Sequence, residues 1–362
     1  MEAHAETTPL TELDHEGLVV RRGRRSGVYT IVAVHSTKLG PALGGCRMWR
    51  YAGAADATRD ALRLGRAMTF KAAAAQVPLG GGKGVICAPP GGSPDGERRR
   101  AMLLDFADTV NALDGAYITA EDVGTSSADM IVIRERTAHV AGLPESHDGS
   151  GDPSPVTALG VEAAMRACCE RRFGSPDLEG RTVSIVGVGR VGSQLARRLS
   201  EAGAQLLLAD IDESRRALVD ELPGSRWCDP NVALQAEVDV LAPCALGGAI
   251  NESTVDRLRC AIVCGSANNQ LSHEGLAEDL DARDILYAPD FVANAGGLIN
   301  CAVERDGYDR DRALEWVRGI EDTIGELLDE AEATGMTPLA AAFRLARRRL
   351  DEADLPAGAV VA

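Results

Sequence analysis

The sequence predicts a two-domain α/β protein, and three observations carry that prediction. A β-branched apolar run, Val183-Ser184-Ile185-Val186, enters the glycine pattern Gly187-Val188-Gly189-Arg190-Val191-Gly192, and helical spacing follows in Gln194-Leu195-Ala196-Arg197-Arg198-Leu199. Further apolar runs, Val238-Asp239-Val240-Leu241, Ala261-Ile262-Val263 and Ile285-Leu286-Tyr287, have the composition of strands in a parallel sheet. A chain of 362 residues, 45% apolar and 25% charged, is too long for one ordinary core and implies two domains of roughly 150 to 200 residues.

Taken in order, residues 27–35 alternate as a strand does, and residues 55–76 read as a long helix with Ala61, Leu64 and Met68 on one stripe. Pro78-Leu79-Gly80-Gly81-Gly82-Lys83-Gly84 reads as a glycine turn, followed by a short strand Val85-Ile86-Cys87, a Pro/Gly loop over 89–94 and a helix over 96–113. The stretch 146–155, rich in Gly, Pro, Ser and Asp, has linker composition. It sets an expected boundary at 150, between units at 1–150 and 151–334, with the helical residues 335–362 at the C-terminal end. From Asn294 to about Asp351 the chain reads as helical, without internal repeats.

The glycine pattern after Val186 has a physical purpose. Gly187 permits the tight turn, Gly189 lets a pyrophosphate approach backbone, and Gly192 lets helix pack on strand, with Val191 in the first helical turn. A second apolar run, Gln205-Leu206-Leu207-Leu208-Ala209, ends at Asp210, roughly 20 residues on, where a carboxylate would accept from the ribose hydroxyls and repel a 2'-phosphate. This selects NAD, although Arg215 and Arg216 close behind leave room for NADP. In the other half, three glycines before Lys83 would bare the backbone around one amine, making that lysine a candidate catalytic group; a plain turn with a solvated lysine fits the same residues. Met68 and Lys71 lie three apart, on one helix face, where methionine could wall a pocket that lysine enters. Met68 equally fits ordinary core.

Composition excludes other classes. A formal net charge of −16 disfavours nucleic acid and anionic membrane as partners, since either requires a basic surface. The start, Met1-Glu2-Ala3-His4-Ala5-Glu6, lacks the basic and apolar regions of a signal peptide, and no apolar run approaches the ~20 residues of a membrane span, so a cytoplasmic location is expected. Nine cysteines without paired spacing read as small buried hydrophobes rather than disulfides, and Cys260 and Cys264 have no histidine nearby, so no metal is expected. His35 lies within a strand-like run and reads as structural.

These residues together resemble the glutamate/leucine/phenylalanine/valine dehydrogenase family, nearest its leucine and valine members. The likeness runs in one register through Leu39-Gly40-Pro41-Ala42-Leu43-Gly44-Gly45-Cys46-Arg47-Met48-Trp49, Met68-Thr69-Phe70-Lys71, the Gly80–Lys83 run, Thr119-Ala120-Glu121-Asp122-Val123-Gly124, Asp152-Pro153-Ser154-Pro155-Val156-Thr157, Ala242-Pro243-Cys244-Ala245-Leu246-Gly247, Gly265-Ser266-Ala267-Asn268-Asn269-Gln270-Leu271, Ala288-Pro289-Asp290 and Asn294-Ala295-Gly296-Gly297. The resemblance implies a substrate and oligomerisation domain over 1–150, joined by the C-terminal helices 335–362, and a Rossmann-type NAD-binding domain over 151–334, separated by an active-site cleft, together with a homo-oligomer and NAD-dependent reversible oxidative deamination of an L-amino acid to a 2-oxo acid and ammonium. It assigns Lys71, with Gly44, Gly45 and Asn269, to the substrate carboxylate, Lys83 to activation of water, Asp122 to proton exchange with the amino group, and Thr157 with Asn268 or Asn294 to the nicotinamide carboxamide.

By the same resemblance Leu43, Met68, Ala120, Leu298 and Cys301 line the side-chain pocket. None is charged, which disfavours glutamate, because a buried unpaired carboxylate is costly. The expected substrates are therefore leucine, valine and isoleucine, with an aromatic amino acid as the alternative. The chain departs from leucine-type members at Gly82, where alanine is common, at Leu298 and Cys301, where valine is common, and at Ala302-Val303-Glu304. Two other classes share part of the pattern. A 2-hydroxy-acid dehydrogenase would use a histidine donor, and no histidine falls inside these motifs; a non-catalytic NAD sensor would have no need of Lys71, Lys83 and Asp122.

Overall fold

The structure, a computed structural model, describes residues 13–89 and 95–353. The first residues of the chain, the Pro90-to-Pro94 part of the expected loop and the last nine residues of the expected C-terminal helical segment lie outside the described residues.

The chain divides into two units, one built from residues up to Thr69 together with Pro78–Leu143, the other from Phe70–Val77 and the residues from Pro144 onward. This differs from the expected division. The boundary falls near 143 rather than 150, and the C-terminal helix Pro338–Glu352 groups with the second unit. Packing explains the difference. Leu339 joins the second unit's core, Phe343 stacks against Phe70 and Phe291, and Arg349 donates to the carbonyls of Ala73 and Ala74 at the end of the helix Ala54–Ala74.

The first unit is a mixed five-stranded sheet formed by β1 (Gly17–Arg22), β2 (Tyr29–Ser36), β3 (Ala42–Trp49), β4 (Gly80–Cys87) and β5 (Tyr117–Glu121), in the order β1-β2-β4-β3-β5. The helix Ala54–Ala74 covers one face through Ala57 and Ala61, against Ile31, Ala33 and Val85; the helix Gly96–Asn111 covers the other through Met102, Phe106 and Val110, against Val32, Val34, Cys46 and Ile86. Strand alternation therefore sorts the residues: odd positions of β3 and β4 face the first helix, even ones the second.

The glycine run is not a turn. Gly80 to Gly84 lie inside β4, buried between β2 and β3. The reason is close packing on both faces. A Cβ on Gly81 would stand 2.0 Å from Thr69 N, on Gly82 2.9 Å from the Tyr117 ring, and on Gly84 2.4 Å from Phe106. What fills the space bared by these glycines is the protein's own helix and aromatic rings.

The second unit holds an all-parallel six-stranded sheet of β6 (Thr182–Val186), β7 (Gln205–Ala209), β8 (Arg226–Trp227), β9 (Glu237–Pro243), β10 (Arg259–Val263) and β11 (Leu286–Tyr287), ordered β11-β10-β9-β6-β7-β8. This is the doubly wound order, whose direction reverses between β6 and β9. The strands read from the sequence at 183–186, 238–241, 261–263 and 285–287 all belong to it. Among the described residues no helix is long and apolar enough to cross a membrane.

Candidate active site

Three parallel neighbours in the first unit, β4, β3 and β5, set the chemistry. Their register opposes Leu43 to Gly81 and Ile118, and Cys46 to Gly84 and Glu121, so alternation puts Leu43, Gly45, Arg47, Lys83, Ala120 and Asp122 on the face under the helix Ala54–Ala74. Lys83 is 5% exposed, and its Nζ lies 2.8 Å from Asp122 Oδ2. Gly45 makes this pair possible. It sits on the strand between the two, and a Cβ there would stand 2.7 Å from Asp122 Cβ and 2.6 Å from the Glu121 carbonyl oxygen. Gly44 faces the other way: its carbonyl accepts the Tyr117 hydroxyl, and a Cβ would meet Gly82 O at 1.8 Å.

Arg47 completes the cluster. Its Nε donates to Asp122 Oδ2 at 3.0 Å and its Nη1 to Asp60 Oδ2 at 3.1 Å, while Tyr51 and Arg63 hold Asp60 from the far side. Burial pushes the Asp122 carboxyl up, but Lys83 and Arg47 outweigh it and hold Asp122 below the ordinary carboxylate range. A buried ion pair is weak support for stability, because desolvation offsets its attraction, so its presence asks for another purpose. Met68, partly buried, stands on the covering helix one residue before Thr69, the residue that packs on Gly81.

In the second unit Lys71 Nζ donates to Asn294 Oδ1 at 2.6 Å, and Asn294 Nδ2 donates to Asn268 Oδ1 at 2.9 Å and to the Ser266 carbonyl at 3.1 Å. Three residues far apart in sequence are thus one chain of contacts. The loop bearing Asn268 and Asn269 folds around Gln270, whose fully buried amide donates to the carbonyls of Gly265 and Ala267. Asn269 takes a left-handed φ of 52°, and Asp290 accepts from the Gln270 N–H at 2.9 Å. Burial pushes the Asp290 carboxyl up, against that backbone bond and the charge of Lys71. Thr157 Oγ1 donates to the Pro153 carbonyl at 2.8 Å, and a Cβ on Gly297 would meet Thr157 Oγ1 at 3.0 Å. Leu298 and Cys301 lie three apart on the helix Gly296–Val303, Leu298 buried and Cys301 half-buried.

The glycine turn fits a dinucleotide. Gly187 has a φ of 101° and packs against Ala245; a Cβ on Gly192 would meet Gly187 O at 2.0 Å; around Gly189, the N-cap of the helix Arg190–Glu201, a Cβ would touch no protein atom within 4 Å. Val191 lies in that helix's first turn, so the backbone amides around it are placed to meet phosphate. Asp210 is held by the turn it serves, its Oδ2 accepting from the Val188 N–H at 2.8 Å and its Oδ1 from Asp212 N–H at 2.9 Å.

Arg47 and Asp290 are the residues to which sequence reasoning gave no role. Both stand inside motifs that the family resemblance picks out, yet which carboxylate an arginine meets, or which loop an aspartate holds, depends on pairing across strands or across twenty residues of chain.

Comparison with known proteins agrees with this geometry. Residues 18–139 match the family described as Glu/Leu/Phe/Val dehydrogenase, dimerisation domain, and residues 206–358 match Glutamate/Leucine/Phenylalanine/Valine dehydrogenase. Residues 161–246 also match the NAD binding domain of D-isomer specific 2-hydroxyacid dehydrogenases, a likeness confined to the nucleotide fold. The chain is 44% identical to a leucine dehydrogenase of Thermoactinomyces intermedius over 94% of its length and 92% of the relative's. A valine dehydrogenase of Streptomyces albus is 43% identical over 94% of this chain and 93% of its own. The crystal structure of L-tryptophan dehydrogenase from Nostoc punctiforme superimposes with a TM-score of 0.82 at 38% identity, covering 95% of this chain and 97% of that one. The chain belongs to the glutamate/leucine/phenylalanine/valine dehydrogenase family and is an NAD-dependent amino-acid dehydrogenase.

Proposed function

We propose that the chain catalyses reversible oxidative deamination of a branched-chain aliphatic L-amino acid, leucine, valine or isoleucine, to its 2-oxo acid and ammonium. The observation that carries this reading is the buried Lys83–Asp122 pair, an amine and a carboxylate in contact across a side-chain-free Gly45. Lys71 holds the substrate carboxylate, a group to which the family resemblance also assigns the backbone of Gly44 and Gly45 and the amide of Asn269. Asp122 takes a proton from the substrate amino group. NAD held at Gly187, Gly189, Val191 and Gly192 would supply the acceptor for the hydride of the α-carbon. Lys83 deprotonates the water that adds to the iminium carbon, Asp122 returns its proton to nitrogen, and the carbinol hydroxyl gives up its proton to solvent as the C–N bond breaks and ammonia leaves. Thr157, Asn268 and Asn294 orient the carboxamide of the cofactor, and Gly187, Gly189, Val191 and Gly192 its phosphates.

The residues that the resemblance assigns to the side-chain pocket, Leu43, Met68, Ala120, Leu298 and Cys301, are uncharged, which supports an aliphatic side chain, as do the leucine and valine dehydrogenases to which the chain is similar. Oxidation of NADH with the 2-oxo acid of leucine, with and without ammonium, tests the reading. Ammonium-dependent turnover is expected. Turnover without ammonium would make the protein a 2-hydroxy-acid dehydrogenase, and silence would leave a nucleotide-binding sensor. The match of residues 18–139 to a dimerisation domain supports a homo-oligomer, which sedimentation of the purified protein would reveal as a mass above the 38.0 kDa chain.

A further inference from the structure

We infer that Arg47 is a positioning residue for this reaction: it holds Asp122 in place while the neighbouring lysine gains and loses its proton. The inference rests on the reading of Asp122 as proton carrier. Two donors, Lys83 Nζ and Arg47 Nε, converge on the same carboxylate oxygen, at 2.8 and 3.0 Å. A lone lysine would be a poor clamp here. If Lys83 removes a proton from water, it must pass through its neutral form, and at that moment its ionic hold on Asp122 lapses. Arg47 cannot lapse, because a guanidinium stays protonated throughout the working pH range.

The far end of Arg47 is itself anchored. Its Nη1 meets Asp60 Oδ2 at 3.1 Å, and Asp60 also accepts from Tyr51 at 2.6 Å and from Arg63 at 2.9 Å, so the guanidinium is braced between β3 and the covering helix. The groups that meet Asp122 are Lys83 from β4, Arg47 from β3, and the Thr125 hydroxyl that accepts its backbone N–H, while the buried Cys46 thiol lies on the opposite face of β3. Register explains the placement. Cys46 opposes Glu121, which sets Arg47 across from Asp122 one step further along both strands.

A plain structural brace would share this geometry, so the experiment must separate the two roles. Turnover on L-leucine is measured for Arg47→Gln, Arg47→Lys, Asp122→Asn and the double variant Arg47→Gln/Asp122→Asn, with melting temperature and NADH binding followed in each. Arg47→Gln is expected to lower kcat about 10- to 100-fold, with NADH binding retained and partial recovery in Arg47→Lys. In the Asp122→Asn background the same substitution is expected to change kcat by less than about twofold, since a residue acting through Asp122 has nothing left to act on. Full multiplication of the two losses, or Arg47→Gln turnover within about twofold of wild type, would overturn the inference. Should Arg47→Gln not melt cooperatively, Asp60→Asn removes the far anchor alone; a severalfold loss that vanishes with Asp122→Asn supports the role, and unchanged kcat overturns it. Asp122→Asn at wild-type turnover would instead defeat the underlying reading of Asp122.

Discussion

Gly45→Ala tests the central arrangement with one methyl group. The added Cβ would stand 2.6 Å from the Glu121 carbonyl oxygen and 2.7 Å from Asp122 Cβ, where ordinary contact starts near 3.4 Å. The backbone of β5 or the Asp122 side chain must therefore yield by roughly 0.7 to 0.8 Å. Moving Asp122 that far stretches the 2.8 Å contact with Lys83 to about 3.5 Å, beyond a useful hydrogen bond. Overpacking of this kind costs about 1 to 3 kcal/mol, which in a domain of this size lowers the melting temperature by a few degrees per kcal/mol. Loss of aligned proton transfer should cut kcat by about 10²-fold or more. NADH binding should persist, because Gly187, Gly189 and Gly192 belong to the other unit. Steady-state kcat, calorimetric melting and NADH fluorescence titration measure the three effects. Wild-type kcat in a Gly45→Ala enzyme would refute the claim that the lysine reaches its carboxylate only across a bare position.

Lys83→Ala should lower turnover by orders of magnitude while NADH binding survives; near-wild-type turnover would end its catalytic assignment. Asp210→Ser should narrow the preference for NAD over NADP in kcat/KM, whereas a wild type that uses both equally would end the role of Asp210. Leu298→Ala should widen acceptance toward L-phenylalanine, and a wild type that already prefers phenylalanine or tryptophan would move the protein to an aromatic specificity. Because the Asp122 carboxyl is held below its ordinary value of 3.8, its stabilising contribution is full above about pH 4 and is lost as pH falls through the lowered folded value. The stability gap between wild type and Asp122→Asn, followed by urea melts across pH 2 to 6, should close on the acid side; a gap that widens there would contradict the sign.

The nucleotide half of the fold was legible because its information is local. A strand, a glycine turn and a helix lie within twenty residues, and each glycine's reason can be read from its neighbours in sequence. The glycines before Lys83 mislead for the opposite reason. Nothing in Gly80-Gly81-Gly82-Lys83-Gly84 has strand propensity, and what makes a strand of it is Thr69, Phe106 and Tyr117, residues 11 or more positions away that leave no room for a Cβ. The same limit hid the allegiance of the C-terminal helix, which Phe343 and Arg349 decide by contacts with residues near position 70. Residue types at the site were readable as candidates, but the joining of Lys71 to Asn294 and of Arg47 to Asp122 emerges only when strands and loops are in register.

A buried lysine set in a strand of glycines, with the catalytic role proposed for Lys83, bears on how such an enzyme can diversify. Along its own strand Lys83 has glycine for a neighbour on both sides, and a Cβ on Gly80, Gly81 or Gly84 would stand 1.9, 2.0 or 2.4 Å from another atom. Variation at Gly80, Gly81 and Gly84 is closed off by this crowding, and Gly82, where leucine-type members commonly carry alanine, is the position of the run that can vary. Leu43, Met68, Leu298 and Cys301 carry ordinary side chains that can grow or shrink. On the proposed assignment of these residues to the side-chain pocket, a lineage could change which amino acid it accepts there and leave its proton chemistry untouched, a freedom suited to a family that holds leucine, valine and tryptophan dehydrogenases.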